Sequence, residues 1–381
     1  MLKFISILFF NIVFFILPTC AFFFDKTKQD KYHSERTKIV DGIYKHYIKT
    51  STARGPVIVN ALEVELKHKN ISIKVGISDK ESIRHNKNTL AQLVKSGMSI
   101  AGLNANYFTE DGIPIGVLIQ DESWISGPLF NRVAIGFSKD KDVFFEQLSR
   151  YGIVSVERGL FKKKPIPLML QIDCLNAPVN LCDDINIIEH SLAEKLKLPK
   201  EKFAYAVKEG CIKSKDARKV HVPEHEYLLV GNKDSDLSKL HRWDCLNIQW
   251  ITEPDWSFVE QAVSGGPYLL KNGEVFIDEE VENIRFQDKD FYAPRSAIGV
   301  DLKGNLFLVA VDGRQAGYSV GFSLIELAKF LQKMGLYTAI NLDGGGSTTL
   351  VLNGEVLNKP SDGEERSISN AILINYSDSQ N

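Results

Sequence analysis

Apolar runs of five to ten residues, rich in β-branched and aromatic side chains, recur along most of the chain. Gly, Pro, Asn or Asp separate them, and runs bounded in this way predict β-strands. The runs are VIVNALEVEL (57–66), ISIKVGI (71–77), RVAIGF (132–137), EYLLV (226–230), LNIQWI (246–251), GPYLL (266–270), RSAIGV (295–300), LFLVAV (306–311), YTAINL (337–342), TTLVLNG (348–354) and NAILI (370–374). The pattern predicts a protein of the α+β class, with strand-rich mixed sheets and a few packed helices.

Three segments follow helical spacing instead, namely TLAQLVKSG (89–97), EHSLAEKLKL (189–198) and FSLIELAKFLQKMG (322–335). The third has the clearest boundaries, because Ser323 followed by Glu326 forms a capping box and Gly335 stands where helices commonly end. Its apolar positions fall on one side, which predicts that the helix lies on a sheet. These positions are Leu324, Leu327, Ala328, Leu331 and Met334.

The strands on either side of this helix end in matching aspartates. LFLVAV leads into Asp312 and a glycine, and YTAINL leads into Asp343 and a glycine. A strand–helix–strand unit normally joins parallel strands, so both aspartates should lie at one edge of a sheet, where α/β sheets bind ligands. In adjacent strands, roughly 4.8 Å apart, the two carboxylates would reach one small substrate. Two Asp-Gly turns without a catalytic role are the alternative.

Three consecutive glycines, Gly344, Gly345 and Gly346, follow the second aspartate. One glycine suffices for a turn, whereas further glycines let a backbone approach a ligand closely and direct N–H groups at an anion. The segment lacks the lysine and the spacing of a P-loop, and it lacks the closing glycine of a nucleophile elbow. No H-E-x-x-H motif is present. These features count against P-loop nucleotide hydrolysis, serine-hydrolase chemistry and zinc-protease chemistry.

Composition and charge limit the classes of molecule that the protein is expected to bind. The chain has 381 residues, of which 44% are hydrophobic and 25% charged, and its formal net charge is −2. No basic stripe interleaved with aromatic residues is visible, so a nucleic-acid partner is not expected.

The first residues have the pattern of an export signal. One lysine precedes an apolar run from Phe4 to Leu17, which is too short to favour spanning a membrane, and Thr19 and Ala21 form a cleavage pattern. We predict a signal peptide at 1–21, a polar arm or linker at 22–50 and one domain at 51–381, with its folded part beginning near Pro56. An uncleaved anchor and a lipid-modified Cys20 are the alternatives, and any membrane contact would pass through this leader.

Four cysteines remain after the predicted leader. An even number in an exported chain predicts two disulfides. We expect the pairs Cys174–Cys182 and Cys211–Cys245. A zinc site and buried free thiols are the competing interpretations, although no C-x-x-C pair supports zinc.

The carboxyl-terminal segment 311–372, which contains VDGRQAGYSVGFS and NLDGGGSTTLVLNG, resembles the phosphodiester glycosidase family. The resemblance extends to NANYFTEDGIPIG (104–116), SGGPYLLKNGEV (264–275) and APRSAIGV (293–300). It covers about residues 56–376 and is weak between about 150 and 205. The resemblance implies hydrolysis of the bond between the anomeric carbon of a sugar and a phosphodiester oxygen.

Residue roles follow from that resemblance. Asp343 and Asp312 match the carboxylates needed around an oxocarbenium-like centre, and guanidinium groups match the departing phosphate. The remaining positions would bind substrate as phosphate cations, sugar ligands or a ligand-facing backbone. They are Arg295, Arg314, Arg366, Asn106, Gly265, Gly266, Gly344, Gly345, Gly346, Ser347 and Thr348.

The function expected from the sequence is an exported, periplasmic or extracellular hydrolase. Its substrate would be a glycan or cell-envelope sugar-1-phosphodiester, N-acetylglucosamine-like, and it would need no cofactor, although a divalent cation is left open. A metal-dependent phosphodiesterase with Asp312 and Asp343 as ligands is the second hypothesis. A carbohydrate-binding or envelope-binding module without catalysis is the third.

Overall fold

β-Strands are the main regular secondary structure of the residues that the structure describes. The computed structural model describes residues 33–78, 86–158, 165–189, 196–215, 227–278, 282 and 291–377. The predicted signal peptide and most of the predicted helix at 189–198 lie outside these residues. Within them, the α-helices are α1 Leu90–Ser96 and α2 Leu324–Lys333.

Among the described residues, thirteen strands precede Lys200 and thirteen follow it. The first half contains β1 His33–Val40, β2 Ile43–Thr52, β3 Gly55–Val64, β4 Ile71–Ile77, β5 Ala101–Asn104, β6 Leu118–Gln120, β7 Ser123–Ser126, β8 Val133–Ser138, β9 Val143–Gln147, β10 Ser149–Glu157, β11 Pro165–Ile172, β12 Cys174–Leu175 and β13 Asn186–Glu189. The second half contains β14 Lys202–Lys208, β15 Cys211–Lys215, β16 Tyr227–Asn232, β17 Cys245–Glu253, β18 Val259–Ser264, β19 Tyr268–Lys271, β20 Glu274–Val275, β21 Arg295–Asp301, β22 Leu306–Val311, β23 Leu336–Asn341, β24 Leu350–Leu352, β25 Glu355–Val356 and β26 Asn370–Tyr376. All eleven predicted strand segments are confirmed, but the two described helices make the fold mostly β rather than evenly mixed.

Four sheets organise the described strands. Sheet 1 has the order β1-β2-β3-β22-β21-β23-β19-β20, and sheet 2 has the order β11-β10-β17-β15-β14-β16-β13-β12. Sheet 3 is β7-β6-β18-β8-β9, and sheet 4 is β25-β24-β5-β26-β4. All four sheets contribute to one apolar core, which includes Leu62, Leu103, Ile135, Ala204 and Ile372.

The predicted strand–helix–strand unit is confirmed, with one difference in its topology. Both β22 and β23 pair antiparallel with β21, so they run parallel to each other with β21 between them. The two strand ends are therefore separated by two strand spacings, roughly 10 Å, instead of one. The capping box of Ser323 and Glu326 is present, and Gly335 has a φ of 93°. Helix α2 packs its apolar side on sheet 1, as predicted.

Sheet 2 is built from a continuous stretch of chain. Its strands all lie between Ser149 and Glu253, and the chain leaves sheet 3 at β9 and returns to it at β18. Both predicted disulfides, Cys174–Cys182 and Cys211–Cys245, are present in this stretch. Sheet 2 is therefore an insertion, and it includes the region of weak family resemblance.

The folded part begins earlier than the sequence predicted. Strand β2 pairs with β3 and β1 pairs with β2, so residues 33–52 belong to sheet 1 rather than to an arm or linker. Their polar composition fits an exposed edge strand, because most of β1 faces solvent. Two side chains, Ile43 and Ile48, are fully buried and hold β2 on the core.

Candidate functional site

Segments next to three strands, β5, β21 and β23, meet around Asp343. Asp343 follows β23, and its backbone N–H donates to the carbonyl of Ala105, beyond β5, at 3.0 Å. The N–H of Gly345 donates to the carbonyl of Pro294, just before β21, at 2.9 Å. These bonds satisfy the backbone of an irregular loop that would otherwise leave buried polar groups unpaired. The loop is fixed against two sheets.

Asn104 is the centre of this arrangement. Its side chain is buried, and its Nδ2 donates to the carbonyl of Asp343 at 2.5 Å. Its Oδ1 accepts from the Ser296 hydroxyl at 2.7 Å and from the Thr349 N–H at 3.1 Å. One amide therefore joins sheet 1 to sheet 4 directly behind Asp343.

The Asp343 carboxyl has a raised pKa. Burial raises its pKa from 3.8 to about 6, although the Ser347 hydroxyl, the Gly344 N–H and the charges of Arg366 and Arg132 act in the opposite direction. Desolvation therefore outweighs several stabilising neighbours. A carboxyl with such a pKa can be ionised at pH 7 and still exchange a proton, which suits a base or nucleophile.

Tyr107 lies beside this carboxyl. Its hydroxyl accepts from Asn341 Nδ2 at 2.7 Å and donates to the Gly266 carbonyl at 3.1 Å. Burial, together with the charge of Asp343, raises the pKa of Tyr107 above its usual range. Tyr107 therefore stays protonated and links the Asp343 loop to the segment Gly265–Gly266 between β18 and β19.

Arg132 places a cation over this tyrosine. Its Cζ is 4.9 Å from the Tyr107 ring centroid and 5.6 Å from that of Phe130. Its Nε and Nη1 have no hydrogen-bond partner among the described residues. Burial lowers the pKa of Arg132, whereas the charges of Tyr107, Glu282 and Asp343 raise it. Arg132 is therefore a charged group with unused donors next to Asp343.

Behind Arg132 stands a buried carboxyl, Glu282. Its Oε1 accepts from the Tyr268 N–H at 2.8 Å and its Oε2 accepts from the Val133 N–H at 3.2 Å. Burial raises the pKa of Glu282, and the two N–H donors and Arg132 oppose that rise. Glu282 therefore ties β19 to β8 and sets the charge balance behind Arg132.

The consecutive glycines allow two further arginines to approach. A Cβ atom on Gly345 would lie 3.2 Å from Nη2 of Arg314, and a Cβ on Gly346 would overlap Nη2 of Arg366 and the carboxylate of Asp362. Arg366 donates to Asp362 from Nε at 2.9 Å. The triple glycine thus makes room for guanidinium groups. A direct role for its N–H groups in binding an anion stays a prediction.

Arg295 contributes charge from below the surface. Its side chain is 5% exposed, and it donates from Nε to the Phe322 carbonyl at 3.0 Å and from Nη2 to the Phe291 carbonyl at 2.6 Å. Burial lowers its pKa, and the nearby charge of Arg314 acts in the same direction. Arg295 adds positive potential to the site and fixes the approach to β21.

Asp312 is bound by donors from its own surroundings. Its Oδ1 accepts from the Lys359 N–H at 2.8 Å and from Asn358 Nδ2 at 3.3 Å, and its Oδ2 accepts from the Tyr318 hydroxyl at 3.0 Å. Burial raises its pKa despite these three donors. Asp312 therefore anchors the segment at 358–359, and β21 lies between its strand and that of Asp343. Convergence of the two carboxylates on one substrate stays a prediction.

The remaining predicted residues surround the site in supporting positions. Asn106 is buried, donates to the Val117 carbonyl at 2.9 Å and accepts from the Ser264 N–H at 3.1 Å, so its amide holds backbone rather than facing solvent. A Cβ on Gly265 would overlap the carbonyl of Asn341, and Gly266 has a φ of 122°. Ser347 and Thr348 are each 1% exposed.

Sequence reasoning missed Tyr107, Arg132, Glu282, Asn104 and Asn341 as site residues. Tyr107 follows the predicted Asn106 directly, and Arg132 begins the predicted strand RVAIGF in the same way as Arg295 begins RSAIGV. These two positions in the sequence could have indicated that Tyr107 and Arg132 belong to the site. Glu282 carries no sequence signal, because its burial depends on contacts with two distant strands.

The described residues hold neither a cluster of potential metal ligands nor a membrane-spanning helix. No group of three or more His, Cys, Asp or Glu side chains there is arranged to hold a metal ion. None of the helices in that part of the chain has the length and apolar character needed to cross a membrane.

The carboxyl-terminal part of the chain is similar to a known protein family. Residues 202–375 match the model of the phosphodiester glycosidase family. The N-acetylglucosamine-1-phosphodiester alpha-N-acetylglucosaminidase of Bos taurus is 40% identical over 111 residues, which span 27% of this chain and 21% of that enzyme. The resemblance drawn from the sequence is thus confirmed over a part of the chain, and the chain aligns with about a fifth of the length of this relative.

Solved structures support the fold over a longer stretch. A hypothetical protein from Synechocystis matches with a TM-score of 0.79 and 23% identity, over 91% of this chain and 64% of that one. The catalytic domain of zebrafish N-acetylglucosamine-1-phosphodiester alpha-N-acetylglucosaminidase, auto-inhibited by its pro-peptide, matches with a TM-score of 0.53 and 18% identity over 91% and 88% of the two chains. At these identities the similarity concerns the fold alone.

Proposed function

We propose that this chain is a phosphodiester glycosidase, which hydrolyses the bond between the anomeric carbon of a sugar and a phosphodiester oxygen. One observation carries the proposal. A carboxyl whose pKa is raised to about 6 lies among arginine side chains, in a loop that belongs to the segment matching the family model. Those are the two needs of this reaction: a group that acts at the anomeric carbon and cations that stabilise a departing phosphate.

In the proposed reaction, the bond from the anomeric carbon to the phosphate oxygen breaks, and its electron pair stays on that oxygen. The released phosphomonoester is a good leaving group, so the site does not need a strong general acid. Asp343 acts on the other face of the sugar, either by accepting a proton from the attacking water or by bonding to the anomeric carbon until water replaces it. The first anomer formed distinguishes these two routes.

The phosphate would be held by arginine side chains. Arg132 has unused donors, and Arg314 and Arg366 lie against the glycines that follow Asp343. Guanidinium groups match the geometry of phosphate oxygens and keep their charge even when partly buried. Arg295 and Asp312 would act as positioning residues, since both are engaged with neighbouring protein groups.

The substrate class follows from the same site and from the relatives. We propose an N-acetylglucosamine-like sugar-1-phosphodiester, because that is the compound named for the aligned relative. An exported location is also proposed, since two disulfides suit an oxidising compartment.

The test compares two aspartate variants on N-acetylglucosamine-1-phosphodiesters, followed by phosphorus NMR with and without chelator. We expect Asp343→Asn to lower kcat by about 100-fold or more while the protein stays folded, because the acting group is lost. Asp312→Asn should lose stability, by about 1–3 kcal/mol, but keep far more turnover than Asp343→Asn. Full turnover in Asp343→Asn, or no hydrolysis of any sugar-1-phosphodiester by the parent protein, would contradict the proposal.

A further inference from the structure

A cavity of about 230 Å³ lies where the inserted sheet 2 meets the turn at 109–113, between β5 and β6. This volume suits a ligand smaller than a drug-sized molecule. The turn forms one wall, and the insertion forms the other with the connection from β12 to β13 and the residues that follow it. None of the residues assigned above to the candidate active site lines this cavity.

The two walls differ in chemistry. The turn contributes the carboxylates of Glu110 and Asp111 and the hydroxyl of Thr109. The insertion contributes mainly apolar side chains, namely Ala177, Pro178, Val179, Ile188 and Leu196. A ligand that is complementary to both walls carries a positive charge at one end and an apolar body at the other.

The turn that carries the carboxylates is fixed by hydrogen bonds. The Thr109 N–H donates to the Ile113 carbonyl at 3.0 Å, and the Gly112 N–H donates to the Thr109 carbonyl at 2.8 Å. The Thr109 hydroxyl donates to Asp111 Oδ1 at 2.7 Å. From outside the turn, the Ser369 hydroxyl donates to the Gly112 carbonyl at 2.8 Å. The acidic wall therefore has a defined shape.

The opposite wall is fixed within the insertion. The disulfide Cys174–Cys182 closes the loop that contains most of this wall. Asn176 is 2% exposed, and its Nδ2 donates to the Ile125 carbonyl at 2.8 Å while its Oδ1 accepts from the Glu189 N–H at 2.7 Å. Because both walls are held by the protein itself, a ligand would bind without the cost of ordering them.

Negative charge prevails at the cavity. Lys87 is the cation bound to the turn, since its Nζ donates to the Glu110 carbonyl at 2.8 Å and lies 5.6 Å from the Phe108 ring centroid. It offsets part of the charge of Glu110 and Asp111, but no lysine, arginine or histidine among the described residues lines the cavity. The electrostatic potential therefore favours a cation and disfavours an anion.

We propose that this cavity binds a primary alkylammonium ion, with its ammonium group against Glu110 and Asp111 and its carbon chain against the insertion. An ammonium group has three donors, and a carboxylate offers acceptors alone. The chain would be removed from water by the apolar wall. The inference concerns a site other than Asp343 and does not rest on hydrolysis of a phosphodiester.

The test is a titration of the full chain, followed by saturation-transfer NMR, with n-pentylammonium, n-pentanol and pentanoate. n-Pentylammonium should bind saturably and about tenfold or more tightly than the other two probes, and added salt should weaken it. Glu110→Gln should weaken its binding by about fivefold, because one charge-assisted contact is lost. Glu355→Gln is the matched control, since Glu355 is also exposed and does not line the cavity. Equal binding of n-pentylammonium and n-pentanol would overturn the proposal.

A second variant tests the position of the ligand without removing a charge. Val179 is a half-buried lining residue, and Val179→Phe puts a larger ring into the cavity. This variant should lose n-pentylammonium binding and keep its thermal unfolding midpoint. Unchanged binding in Val179→Phe would place the ligand elsewhere and contradict the proposal. Displacement of n-pentylammonium by N-acetylglucosamine 1-phosphate would contradict a site separate from that of Asp343.

The same titration distinguishes two sources of the ammonium group, a free amine and a lysine side chain of a polypeptide. Nα-Acetyllysine amide represents the second source. If it binds as tightly as n-pentylammonium and is lost in Val179→Phe, a lysine side chain is the supported ligand. Binding of n-pentylammonium alone supports a free amine.

Discussion

At the scale of single residues, Asp343 differs from Asp312 by what its carboxylate contacts. Asp312 meets three donors from its own surroundings, including the Lys359 N–H. Burial raises the pKa of both carboxyls, to about 6 for Asp343, whose opposing groups are instead the Ser347 hydroxyl, the Gly344 N–H and two arginine charges. Sequence alone placed both aspartates at strand ends in the same context. Their difference depends on donors that arrive from residues 318 and 358–359, so it could not be predicted from the two motifs.

The pH dependence of activity follows from that shift. If the ionised form of Asp343 acts, kcat/KM should rise with pH around a midpoint of about 6 in the free enzyme. In the complex, the phosphate adds negative charge near the carboxylate, so the midpoint for kcat should be higher. Initial rates from pH 4 to 9 measure both midpoints. A kcat/KM that falls as pH rises through this range would mean that the protonated form acts.

The pH dependence of folding stability tests the raised pKa of Asp343 without a measurement of turnover. The folded pKa of Asp343 exceeds its ordinary value of 3.8, so the folded state binds a proton more tightly than the unfolded state. The ionised carboxylate therefore costs folding free energy progressively as pH rises from about 4 through 6. Asp343→Asn should gain stability relative to the parent over that window. A difference in stability that does not change with pH would contradict the raised pKa.

At the scale of elements, the site depends on a loop that connects β23 to β24. The strand–helix–strand pattern around α2 was predictable, because hydrophobic spacing and the capping box are local signals. The position of β21 between β22 and β23 was not predictable, since strand order depends on long-range pairing. The role of the triple glycine was predicted only in part. We expected the backbone of these glycines to approach a ligand closely, but the groups that lie against it are arginine side chains.

Gly346 tests this interpretation of the loop. In Gly346→Ala, the new methyl group would overlap Arg366 and Asp362, whose flexible side chains must move away. We expect KM to rise by about tenfold or more, because a charge-assisted phosphate contact is displaced. Kinetics on one sugar-1-phosphodiester measure the effect. Gly354→Ala is the control, since no atom lies within 4 Å of the added Cβ and its φ of 80° should cost stability but not KM. An unaltered KM in Gly346→Ala would remove Arg366 from the site.

At the scale of the whole molecule, the site assembles parts of the chain that lie far apart. Tyr107, Arg132, Arg295 and Asp343 come from sheets 1, 3 and 4 or the segments next to them, and sheet 2 is inserted at residues 149–253. The strands themselves were predictable from local patterns. Their grouping into four sheets was not, and this explains why Arg132 and Glu282 escaped the sequence analysis. The polar composition of residues 33–52 likewise did not indicate that they form an edge strand, β1, and its neighbour β2.

The central claim is that the bond cleaved is the one at the anomeric carbon. The most direct measurement is hydrolysis of an N-acetylglucosamine-1-phosphodiester in water enriched in a heavy oxygen isotope, with the phosphate product examined by phosphorus NMR and mass spectrometry. The account predicts an unlabelled phosphomonoester and label in the freshly released sugar, because water adds to the carbon. Label in the phosphate product, with sugar 1-phosphate released, would mean cleavage at phosphorus and would contradict the account.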